Sequence, residues 1–209
     1  MKTSLTKSQR RDLDAARKTT GNPDGKGANG FMLDWYRSEP RGLLAKPRHQ
    51  ILAELFTSML ILNAQFKYKP SVGVVNYLYC IDREWSLSLI APHEWSSERQ
   101  AGFAGTCVLQ RDMTWTITPS ELVGGSNSIT EAIAEFYEAF SDRLDTDLTL
   151  EEILPFYVGH MPYYQRLYAN ALSRSLRSTV RMGEQASDSC RHWRKLLPKP
   201  EQILLPVSA

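Results

Sequence analysis

The apolar residues of this chain change period twice, and that change constrains the fold more than any other feature. Over residues 48–66 they recur at Ile51, Leu52, Leu55, Phe56, Met59 and Leu60, a spacing that gives a helix with a wide apolar face. Pro70 closes the region. Over 74–118 the period shortens. The runs 74–81 and 85–91 are rich in β-branched and aromatic residues, and Trp85, Leu87 and Leu89 alternate with Ser86 and Ser88 as in a strand with one wet face. Runs 106–109 and 115–118 continue the series. From Ser128 the helical spacing returns in Ile129, Ile133, Phe136, Tyr137, Phe140 and Leu144, and again over 162–182. These switches predict an α+β fold: a small antiparallel β-meander packed on the 48–66 helix, because an isolated hairpin is marginal in water, followed by a helical C-terminal part.

Punctuation divides the chain further. Residues 1–30 read as a basic flexible tail ending in a glycine-rich loop, 31–122 as the helix-and-sheet core, 123–197 as the helical part and 198–209 as a tail. Two capping boxes mark helix starts, Ser128-Ile129-Thr130-Glu131 and Thr149-Leu150-Glu151-Glu152; Leu148 and Ile153 take the places of a hydrophobic staple around the second. The loop at 21–30 lacks the P-loop spacing, since three residues rather than four precede Gly25-Lys26 and Gly27 follows.

Charge is distributed in blocks. The net charge of +2 hides +6 over residues 1–50, −8 over 121–160 and +5 over 161–209. Such asymmetry marks either an acidic or nucleic-acid partner or two segments that neutralise each other. On the 162–182 helix, Arg166, Arg174, Arg177 and Arg181 fall on one narrow stripe. They face either an outside polyanion or the acidic segment 131–152.

Composition excludes several chemistries. Cys80, Cys107 and Cys190 form no CxxC and are odd in number, which points to free thiols in a reducing cytosol. The four histidines are scattered, so no metal and no cofactor is expected. No GxSxG elbow occurs. The longest apolar stretch is too short for a bilayer, so a soluble, cytoplasmic protein without membrane contact is expected. Two groups of candidates remain. His93, Glu94, Cys107 and Asp112 are the weak catalytic set, with Cys107 paired to His93 or His160. Tyr77, Tyr79, Trp85, Trp95 and Trp115 in the sheet region are aromatics that serve either as core or as a recognition surface.

A family resemblance covers this sheet. Tyr77-Leu78-Tyr79, then Ser88 to Trp95 as S-x-I-x-P-x-E-W, then Phe103-Ala104-Gly105 and Leu109-Gln110-Arg111-Asp112 with Trp115 resemble a domain-of-unknown-function family (domain of unknown function 2452), in its bacterial branch. The resemblance implies shared fold and ancestry and transfers no catalytic residue. The resulting expectation is a cytosolic, non-catalytic binding or adaptor module for a protein or acidic partner, using the sheet aromatics and the arginine helix. The alternatives are a small-molecule enzyme with a His/Glu site, and a nucleic-acid-binding protein, which is less favoured because no aromatics interleave the arginines.

Overall fold

The computed structural model describes residues 28–124, 127–158 and 161–204. The basic tail 1–20, most of the loop 21–30, His160 and the last five residues lie outside them. Helix α1 spans Ala28–Arg37 and α2 spans Arg48–Asn63. Strands follow at Val75–Ile81 (β1), Glu84–Ser88 (β2), Phe103–Leu109 (β3) and Trp115–Pro119 (β4). A 3₁₀ turn, Pro92–Glu94, and a short helix α3, Ser97–Gln100, lie between β2 and β3. A second 3₁₀ turn, Glu121–Gly124, leads to α4 (Asn127–Arg143), α5 (Leu150–Ile153), α6 (Tyr163–Met182), α7 (Cys190–Arg194) and α8 (Pro200–Leu204).

The fold is α+β, with all four strands antiparallel, but their order is β2-β1-β3-β4 rather than that of a meander. The connection 89–102 carries the chain across, so that β3 pairs with the free side of β1. The β1–β2 hairpin closes through Asp82 and Arg83, both at positive φ (50° and 65°), as a two-residue turn matched to strand twist requires. At Gly105, φ is 157° and a Cβ would run into the main chain of Thr118 and Pro119 on β4. The glycine of the F-x-G pattern is therefore fixed by the closeness of β4.

Alternation sends Leu78, Cys80, Trp85, Leu87, Cys107, Leu109 and Trp115 to one face, against α2. Helix α2 is buried on nearly every side, with Ile51, Leu52, Leu55, Phe56, Leu60 and Ile61 between 0% and 1% exposed. A helix apolar all round is a central helix, and α2 lies between the sheet and the helices α4 and α6. Residues of α7 and α8, including Trp193, Cys190 and Leu204, join the same buried cluster.

The Thr149–Glu152 box forms as expected: the Glu152 N–H donates to the Thr149 hydroxyl and the Thr149 N–H to the Glu152 carboxylate at 2.7 Å. The Ser128 box does not mark a start, because α4 already includes Asn127. Its Thr130 hydroxyl donates instead to the Val123 carbonyl, tying the helix to the preceding turn.

Candidate functional site

The four catalytic candidates stay apart. Cys107 faces α2 with 0% exposure, and burial pushes its thiol far above the ordinary range. His93 and Glu94 sit exposed on the 3₁₀ turn, where the Glu94 carboxylate accepts the Ala91 N–H at 3.0 Å and so caps the turn. Asp112 lies in the β3–β4 turn. It accepts the Thr114 N–H and hydroxyl (3.1 and 2.7 Å) and the Lys46 ammonium (2.7 Å). Lys46 also donates to both Glu54 oxygens. Burial opposes the Asp112 charge, but the hydrogen bonds from Lys46 and Thr114 outweigh it and hold its pKa below the ordinary value. Burial likewise opposes the charge on Lys46, and its hydrogen bonds to Asp112 and Glu54 outweigh that, raising its pKa. Both groups are thus locked in their charged forms, as a clamp between the 41–47 connector, α2 and the hairpin.

The aromatic set is split by the sheet. Trp85 and Trp115 are 7% and 1% exposed on the α2 side and present no recognition surface. Tyr77 and Tyr79 point the other way, their rings 6.2 and 5.6 Å from that of Phe103. Tyr79 is fully buried and donates its hydroxyl to the Ile90 carbonyl at 2.9 Å, and burial raises its pKa. Trp95 is half-buried in the 89–102 connection, beneath the Arg99 guanidinium at 4.1 Å. The family pattern is thereby explained as scaffold. Ser88 accepts the Ile90 N–H, Tyr79 holds Ile90, Glu94 caps its turn, Gln100 donates to the Trp95 carbonyl and Asp112 braces the last hairpin.

The arginine stripe is largely used internally. The Arg174 guanidinium stacks 4.1 Å from the Trp35 ring and donates to the Ser38 carbonyl, both on or next to α1; burial lowers its pKa. Arg177 donates to the Leu154 carbonyl. Arg181 grips Glu151 through Nε and an Nη, holding that carboxylate below its ordinary range. Arg166, half-buried, has no side-chain partner among the described residues. Only Arg181 meets the acidic segment. Its other carboxylates are met by Arg83 (Glu131, Glu135), Arg191 (Asp145, Asp147) and Arg194 (Asp142, Asp145).

What the molecule does offer is a groove of about 890 Å³ between α2, β4 and the 195–203 segment. Two hydroxyls of α2 position its floor. Thr57 donates to the Trp115 carbonyl at 2.7 Å, and the Ser58 hydroxyl accepts the Trp115 N–H at 2.9 Å. With both main-chain groups of Trp115 turned away from β3, the alternation of an antiparallel pair turns those of Ile117 away as well. Neither has a partner among the described residues. The other sheet edge is closed: Gln65 donates to the Trp85 carbonyl and accepts the Leu87 N–H along β2. Sequence reasoning missed the groove because its walls come from residues some 65 and 80 positions apart. The one local signal was a Thr57-Ser58 pair inside an otherwise apolar helix.

Among the described residues no group of three or more His, Cys, Asp or Glu side chains is placed to hold a metal ion, and no helix is long and apolar enough to cross a membrane. Residues 42–138, from the Lys46 connector through most of α4, match the model of a family described as a protein of unknown function (DUF2452), the family that the sheet residues resemble. No curated protein and no solved structure shows significant similarity to the chain.

Proposed function

We propose that this chain, with the family's segment at its centre, is a non-catalytic binding module for a protein partner, and that the groove beside β4 is its docking site. The observation that carries the reading is the conjunction of a roomy, half-apolar groove with an edge strand whose main-chain groups at Ile117 are unpaired. Edge strands in folded proteins are ordinarily covered, charged or bulged, and an open one next to a groove is a usual way to take up a partner segment. The separation of His93, Glu94, Cys107 and Asp112 supports binding over catalysis. The internal use of Arg174, Arg177 and Arg181 weakens the nucleic-acid reading. The compartment we infer is the cytosol, from three cysteines that are all buried and unpaired.

The test is site-specific photocrosslinking in the native cell. A photoreactive residue at Gln50 or Thr118, on two walls of the groove, is expected to give discrete adducts. The same residue at Asn63, about 20 Å away at the far end of α2, is expected to give none. Equal adducts from all three positions, or none from the groove, would overturn the assignment.

A further inference from the structure

Resting on that reading, we propose that the groove's occupant is an extended acidic peptide segment of the partner, added to the sheet as a fifth strand at β4. An added strand lying antiparallel to β4 exchanges two hydrogen bonds with Ile117, through the only N–H and C=O pair that the residues Trp115 to Thr118 turn toward the groove and leave unclaimed by α2. The open edge is about 13 Å long, enough for four residues of ligand. Side chains of such a segment alternate. Every second one meets the half-buried apolar wall of Ile117, Leu197 and Ile203.

The charge of the lining selects the sign of the others. Glu54, the only carboxylate of the lining, is neutralised by Lys46 at 2.7 Å. Lys195 and His49 are exposed and have no ion-pair partner among the described residues. The free charge that the groove can offer is therefore positive, and a segment alternating apolar and carboxylate side chains fits both walls.

The experiment uses the full chain and three fluorescein-labelled octapeptides: alternating Val and Glu, alternating Val and Lys, and the Val/Glu peptide with alternate main-chain nitrogens methylated on the edge that would face β4. Fluorescence anisotropy at low salt reads the affinities. The Val/Glu peptide is expected to bind at least about tenfold more tightly than the Val/Lys peptide, and methylation to weaken it by about tenfold, the equivalent of one or two main-chain hydrogen bonds. K195E is expected to abolish the preference for Glu, and I117P to abolish binding. The methylated peptide removes the same hydrogen bonds from the ligand side, so the test stands if I117P fails to fold.

No binding of the Val/Glu peptide, equal binding of the Glu and Lys peptides, or indifference to methylation each overturns strand addition. So does binding that appears only after deletion of residues 205–209, which would make the chain's own tail the occupant. Self-association abolished by I117P would assign the edge to a second copy and overturn the proposal too. Groove-specific crosslinks that persist while the peptides fail would leave the docking site standing and remove only the strand-addition claim.

Discussion

At the scale of single residues, the clearest device is the Lys46 clamp. Its ammonium meets Glu54 and Asp112 at 2.7 Å each, with all three side chains 13–16% exposed. Lys46→Met leaves two half-buried carboxylates without their cation, and is expected to destabilise the fold by about 2–3 kcal/mol in urea unfolding. The pH dependence follows from the signs of the shifts. Asp112 is depressed below its ordinary 3.8, so its contribution is present above that value and is lost as the pH falls through the lower folded value. Lys46 is raised above its ordinary 10.5, so its contribution is present below that value and is lost as the pH rises through the higher folded value. The difference between wild type and variant should be level across neutral solution and shrink only toward strong acid and strong alkali. A decline already between neutral and mildly acid solution contradicts the clamp. None of this was legible beforehand. Asp112 stood out as a candidate acid, but its partner is 66 positions away, and only the hairpin's placement against the 41–47 connector reveals it as a brace.

At the scale of elements, the periodicities carried most of the information. The 48–66 pattern became α2, ending three residues early, and the four strand runs became four strands with shifted ends. What periodicity could not supply was connectivity. A linker as long as 89–102 can return β3 beside β2 or carry it to β1, and no local spacing distinguishes the two. Helix α2 joins the layers through Phe56, whose ring packs edge-on against Phe136, Tyr137 and Phe140 of α4 at 5.5, 5.8 and 5.5 Å. Phe56→Ala removes the centre of that cluster and is expected to cost about 3–5 kcal/mol. Phe56→Leu, which keeps most of the volume, should cost about 1–1.5 kcal/mol. Urea midpoints with an unchanged slope are the measurement. A loss under 1 kcal/mol for the alanine variant would mean that α4 is not held through this ring.

At the scale of the whole molecule, the charge blocks and the sheet edges determine what is left for an outside molecule. The −8 of residues 121–160 invites a basic partner on paper. In the fold it is answered by Arg83 from a β-turn, Arg181 from α6, and Arg191 and Arg194 from α7. The sequence displayed the asymmetry but not its resolution, because three of these four arginines lie outside the stripe that drew the eye. Exposed pairs of this kind contribute little stability; their effect is to cancel a field. The sheet distributes its free main-chain groups just as unequally, with Gln65 closing the β2 edge and two hydroxyls closing β4 only at Trp115. The account therefore depends on the openness of β4 at Ile117, and residue-resolved amide hydrogen exchange on the isolated protein tests it most directly. The Ile117 amide should exchange orders of magnitude faster than those of Thr116 and Thr118, which bond to β3. Protection of Ile117 equal to that of its two neighbours would mean that the edge is already occupied, and would contradict the claim that it awaits a partner.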